Sequence, residues 1–205
     1  TYGYNKYYNT NITESVLTND FLFSSNEFLN KKGFISDFDL LLKNSNDYSN
    51  NSLNFEDNQN YNLYGIVKID GSYPLQKKME NFTNYLTPII SFRYSPNGNS
   101  DLSSKDIQLN YNSVFGLNRI GESSQVEGGE SLSLGLEFRR MENNGPEIFD
   151  LKLANVIKTK TDYRMPSKSK LNEKRSDIFG ELNYNLTENL DFAYHFSYDK
   201  DLKYS

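Results

Sequence analysis

Hydrophobic and polar side chains alternate with a period of two along several stretches of the chain. Over residues 129–140, Leu132, Leu134, Leu136 and Phe138 fall on one side, and Ser131, Ser133, Gly135, Glu137 and Arg139 on the other. Residues 190–199 repeat the arrangement, with Leu190, Phe192, Tyr194, Phe196 and Tyr198 opposed by Asp191, Ala193, His195, Ser197 and Asp199. A strand turns successive side chains to opposite faces, so each stretch predicts a strand with one apolar and one small or charged face. The same reading places strands over 2–8, 16–24, 33–43, 61–73, 84–95, 106–115, 147–158 and 176–186, giving about ten in all and no helix. Pro88 lacks the N–H that a ladder needs and predicts a strand start, a bulge or an edge. Residues 44–60, rich in Asn, Ser and Asp, predict a loop, as do 116–128 and 159–174. Asn143-Asn144-Gly145-Pro146, Pro96-Asn97-Gly98-Asn99 and 187–189 predict turns. Short turns and long loops alternate over the second half, whereas the 44–60 loop falls on the short-turn side.

Composition bears on what the apolar faces meet. The mean hydropathy of -0.74 and apolar content of 36% are low for a 205-residue globular domain, yet 16 Tyr and 14 Phe are too many for a disordered chain. Transmembrane barrels combine these properties, because half of each strand faces a polar interior and the loops are long. No apolar run reaches the length of a transmembrane helix. Cysteine is absent, and the net charge of -5 argues against a nucleic-acid partner. The predicted fold class is therefore all-β: an antiparallel meander forming part of a large transmembrane β-barrel. Under it, Leu132, Leu134, Leu136 and Phe138 face lipid, and the Ser133 side faces the polar interior. Tyr and Phe near strand ends could form interfacial girdles or serve as ordinary strand formers. The chain opens without a Met or a signal segment and stops just after a strand, so residues 1–205 are expected to be one barrel piece cut at both ends.

Candidate chemistry is sparse. His195 shares a strand face with Ser197 and Asp199, but residues two apart on one strand rarely form a hydrolytic triad, and no GxSxG motif occurs. A polar interior-facing histidine is the simpler reading, and no catalytic residue is predicted. Asp37 with Asp39, and Asp199 with Asp201, supply too few oxygens for Ca²⁺ and belong to no DxDxDG-type loop, so no metal or cofactor is predicted. The sequons at Asn11, Asn81 and Asn185 are weak signals in an Asn-rich chain. Residues 158–175 carry Lys158, Lys160, Arg164, Lys168, Lys170, Lys174 and Arg175 against Asp162 and Glu173. A solvated loop explains such a run; contact with phosphorylated lipid headgroups is the functional alternative.

From residue 84 onward the chain resembles the barrel of the LptD family of lipopolysaccharide-assembly proteins. Leu86-Thr87-Pro88 followed by IISFRYSP resembles the family's "L-x-P" strand. Val114-Phe115-Gly116-Leu117-Asn118-Arg119-Ile120-Gly121, leading through Val126-Glu127-Gly128-Gly129-Glu130 into SLSLGLEFR, resembles its "NR-x-G" segment and following strand. Ser176-Asp177-Ile178-Phe179-Gly180 resembles a late strand. The resemblance singles out Asn118, Arg119, Gly121, Gly128 and Gly129 as a family-motif loop. Where the family usually has an Asp-Arg pair before the glycine turn, Ser124-Gln125 stand here, so a charge pair in this loop is not carried over. The paired cysteines of the family are missing too. The resemblance implies transport of lipopolysaccharide to the outer leaflet of the outer membrane, with no enzymatic step. It also implies an LptE-like lipoprotein plug and periplasmic bridge proteins as partners. Another outer-membrane barrel (a porin or autotransporter) or a soluble β-sandwich adhesin or carbohydrate-binding module would share the strand pattern. The sandwich would pack its apolar faces on each other.

Overall fold

Long alternating segments joined by polar connections can satisfy their backbone groups by pairing with sequence neighbours, and this chain does so throughout. The computed structural model describes residues 2–7, 12–51, 59–96, 101–187 and 190–199. Eleven strand segments make one antiparallel sheet: β1 (Tyr2–Tyr7), β2 (Ile12–Ser24), β3 (Phe28–Leu29), β4 (Ile35–Asn50), β5 (Gln59–Ser72), β6 (Leu75–Lys78), β7 (Phe82–Ser95), β8 (Gly129–Glu142), β9 (Glu147–Lys158), β10 (Ile178–Thr187) and β11 (Leu190–Tyr198). The order across the sheet is β1-β2-β4-β5-β7-β8-β9-β10-β11, with β3 beside β4 and β6 beside β7. Because β3 continues the line of β2, and β6 that of β5, the meander makes nine passes, two of them interrupted. The second interruption lies opposite Pro88: β5 pairs as far as Ser72 with Ile89, and β6 resumes at Leu75 with Leu86. The register is the same on both sides of the gap, so no residue is inserted. Of the strand start, bulge or edge expected at the proline, the structure shows only a lapse of the ladder over Tyr73-Pro74 in the neighbouring strand.

Two expectations fail. Residues 44–50 extend β4 and are not a loop, because Asn44, Ser45, Asn46 and Asp47 are paired with β2 on one side and β5 on the other. Pairing on both flanks overrides the poor strand propensity of Asn and Asp. The β4–β5 connection then leaves the same end of the sheet as the long connections 96–128 and 159–177, which removes the apparent break in alternation. Residues 106–115 are not a strand either. Asn110 accepts a hydrogen bond from the Ser113 amide at 2.8 Å while the Ser113 hydroxyl accepts from the Asn110 amide at 2.8 Å. This capping box starts a single helical turn, α1 (Tyr111–Val114).

The outward face of the sheet is apolar and uncovered. Leu134 and Leu136 are each 39% exposed, and on β7 Ile90, opposite Leu134, and Phe92, opposite Leu132, are each 44%. Among the described residues no second sheet packs on this face, so they form no sandwich core. The inward face is covered instead by the two long connections, which behave as one layer: the Leu102 amide donates to the Arg164 carbonyl at 2.7 Å, and Lys168 pairs with Asp106 at 2.9 Å. Leu102, Leu109, Tyr111, Val114, Ile120, Met165 and Leu171 from this layer meet Ala154, Val156 and Phe179 of the wall. A second cluster seats Val126 and Leu117 on Leu41, Tyr64 and Ile66 of β4 and β5. Small inward residues make the room. Ser91, Ser131 and Ser133 are almost completely buried, and Phe115 rests on Gly135 so closely that a Cβ there would come within 2.5 Å of its ring.

Candidate functional site

The family-motif residues build the inward layer. Asn118 donates through its amide to the carbonyls of Glu122 and Gln125, at 2.8 and 3.2 Å, closing 118–125 on itself. Gly121 takes a φ of +68° at the tip of that turn, a conformation costly for a side chain, and its amide donates to the Asn118 carbonyl at 3.2 Å. Arg119, one residue further in, is carried down to the wall.

There it meets Glu127. The Arg119 guanidinium donates to both carboxylate oxygens, Nε to Oε2 at 2.8 Å and Nη2 to Oε1 at 2.9 Å. The same guanidinium donates to the Ser131 hydroxyl at 2.6 Å and the Ser133 hydroxyl at 3.3 Å. Lys158 Nζ lies 3.2 Å from the Glu127 carboxylate and Arg93 Nη1 3.9 Å from it. Glu127 is thus the shared carboxylate of three buried cations. Burial alone would push its carboxyl up, but Arg119, Arg93 and Lys158 together hold it down at about 2. The charge pair that Ser124-Gln125 fail to supply is made in this loop by Arg119 and Glu127.

The wall grips the layer by its main chain as well. Arg93 donates to the carbonyls of Leu117 and Glu127, at 2.8 and 2.7 Å. Lys43 donates to the Ser123 carbonyl at 2.8 Å, Lys68 to Phe115 at 3.1 Å and Lys158 to Leu171 at 2.9 Å. Inward cations of β4, β5, β7 and β9 therefore hold backbone oxygens of both connections. Lys43 is also paired with Asp20 at 2.7 Å, and Lys68 with Asp39 at 3.2 Å and Asp70 at 2.7 Å.

The seven basic residues of 158–175 do not form one patch. Lys158 is buried in the cluster, while Lys160, Arg164, Lys168, Lys174 and Arg175 are exposed. Lys170 sits in a left-handed turn with φ +58°. Arg164 is tied to Asp162 at 2.9 Å. Lys158, Lys160 and Arg164 line a cavity of about 350 Å³ with Tyr94, Gly128 and Gly129, at the loop end of β7, β8 and β9. Leu132, Leu134, Leu136 and Phe138 all lie on the outward face, whereas Ser133, expected to face an open interior, is covered by the layer and donates to the Val114 carbonyl at 3.1 Å. His195 lies 3.8 Å from Glu181, and Ser197 donates to Asp177 at 3.2 Å. Asp201 lies outside the described residues, as do 97–99 and 188–189 of the expected turns.

Sequence reasoning left out Arg93 and assigned Glu127 no role. The available signal was Arg93 standing as a lone charge between Ser91 and Ser95, on the face opposite Ile90, Phe92 and Tyr94. Among the described residues, no group of three or more acidic, His or Cys side chains is placed to hold a metal ion. Among the described residues no helix is long and apolar enough to cross a membrane, which says nothing of crossing by strands. The family model described as "LptD: LPS transport system D" matches residues 17–204. No curated protein matches the sequence.

Proposed function

The chain belongs to the LptD family, a family of outer-membrane lipopolysaccharide transport and assembly, and from that footing we propose that residues 1–205 form part of the wall of its translocon barrel. The observation that carries this reading is the single sheet with an uncovered apolar face outside and a charged, loop-covered face inside. Leu132, Leu134, Leu136 and Phe138 face lipid. On β7 the outward stretch 86–94 is bounded toward the turns by Asn84, paired with Arg140, and toward the loops by Tyr94, paired with Glu130. With a rise of about 3.3 Å per residue and a barrel tilt near 40°, it spans ~20 Å along the bilayer normal, close to the ~25 Å apolar band of such barrels.

The end carrying 96–128 and 159–177 faces the cell exterior, since the long loops of these barrels lie there. Lys160, Arg164, Lys168, Lys170, Lys174 and Arg175 then stand at headgroup level. Asn118, Arg119, Gly121, Gly128 and Gly129 act as the framework of an inward loop. The barrel delivers lipopolysaccharide from periplasmic bridge proteins to the outer leaflet, and an LptE-like lipoprotein occupies the rest of the interior. No step requires bond making or breaking by the chain.

Depletion of the full-length protein in its own cells tests the reading. Newly made lipopolysaccharide should stop reaching the surface, measured by its accessibility to an enzyme added outside, and sensitivity to large hydrophobic antibiotics should rise. Undiminished surface arrival after depletion would overturn it.

A further inference from the structure

Lys158 belongs to two places at once, the buried cluster around Glu127 and the wall of the 350 Å³ cavity. Behind it, the carboxylate of Glu127 faces Arg93, Arg119 and Lys158, so among the described residues the cluster holds two more positive charges than negative. Buried charge without a counter-charge is costly. Arg93 Nη1, buried and without a hydrogen-bond partner, marks the shortfall. The carboxylates at the cavity do not make it good: Asp162 is bound to Arg164 at 2.9 Å, and Glu130 is exposed. Gly129, at φ +89°, borders open space, with no atom within 4 Å of where a Cβ would stand.

We propose that this cavity binds a phosphate monoester, contacted by Lys158 and Lys160, with Arg164 on its wall and the buried guanidinium groups behind it. A phosphate supplies the missing negative charge and has oxygens for several cationic donors at once. The site rests on the translocon reading, under which the phosphate is carried by the saccharide headgroup of the cargo; a free phosphate would offer the same group.

The test uses the full-length protein in detergent, titrated with inorganic phosphate and followed by ³¹P NMR line width. Saturable broadening is expected. Lys160→Gln should weaken it roughly tenfold, the loss of one charge-assisted contact. Glu130→Gln, which removes the exposed carboxylate, should tighten it. Both residues are exposed, so folding is kept. Displacement by lipopolysaccharide at concentrations well below those of phosphate assigns the site to the headgroup; displacement only at matching phosphate concentrations assigns it to free phosphate. No saturable broadening, no change in either variant, or equal displacement by dephosphorylated lipopolysaccharide overturns the site. Surface delivery is read separately. A protein that delivers lipopolysaccharide without binding phosphate loses the site and keeps the transport reading, and one that binds phosphate without delivering does the reverse.

Discussion

Arg119 and Glu127 meet in a two-point contact, 2.8 and 2.9 Å, from which solvent is excluded on both sides. Such a fork fixes the relative position of the two arms of a loop. It also makes the two residues unequal. Arg119→Ala leaves Glu127 with Lys158 and Arg93, whereas Glu127→Ala leaves three buried cations without a carboxylate. Glu127→Ala should therefore cost more, roughly 3–5 kcal/mol, the range for breaking a buried pair from one side. The urea midpoint of the detergent-folded protein measures both; equal losses would count against the shared-carboxylate arrangement.

The same group sets an acid limit. Its folded-state value of about 2 lies below the ordinary 4.5, so Glu127 binds a proton less readily folded than unfolded. Its contribution is complete above about 4.5 and is lost as the pH falls from there to about 2. Stability measured by tyrosine circular dichroism should fall through that window, and Glu127→Gln should flatten the fall.

Three single cysteines separate the faces. Leu134→Cys, on the outward face, should react with a lipid-soluble maleimide in the membrane. Ser133→Cys, under the inward layer, should react with neither a lipid-soluble nor a water-soluble reagent. His195→Cys, whose native side chain is 69% exposed on the inward face, should prefer the water-soluble one. Leu134→Arg should cost roughly 2–4 kcal/mol if the residue lies near the bilayer midplane, and reduce the heat-modifiable folded form. Ser133→Arg should be harmful too, since it displaces Arg119 and Val114. A Leu134→Cys that labels only from water would sink the lipid-facing assignment.

Gly135→Val tests how the layer is seated. A Cβ at this position meets the Phe115 ring, so the valine must push α1 off the wall. Overpacking of this kind costs roughly 1–3 kcal/mol. The expected sign is faster proteolysis within 101–128 with the sheet still folded.

The sheet was legible because a period of two, held over many residues, survives without any knowledge of partners. Leu132 to Phe138 announced both a strand and its two unlike faces. What covers the inner face was not legible. Ser131, Ser133 and Gly135 were visible as small residues, but small residues suit a wet interior as well as a packed loop. The helical turn at Tyr111 hid in an alternating pattern because one Asn-Ser capping box decided it. The polar end of β4 looked like a loop because its stability comes from two neighbours, which local composition does not record. Arg119 was singled out by resemblance, while its partner could be found only in three dimensions.

The cations Lys43, Lys68, Arg93 and Lys158 hold the inward layer by carbonyl oxygens. A carbonyl is the part of a residue that substitution leaves in place. Ser123, Phe115, Leu117 and Leu171 could change identity and still be held at those points. An anchorage that does not depend on side-chain identity tolerates replacement of the residues it holds without releasing the layer from the wall.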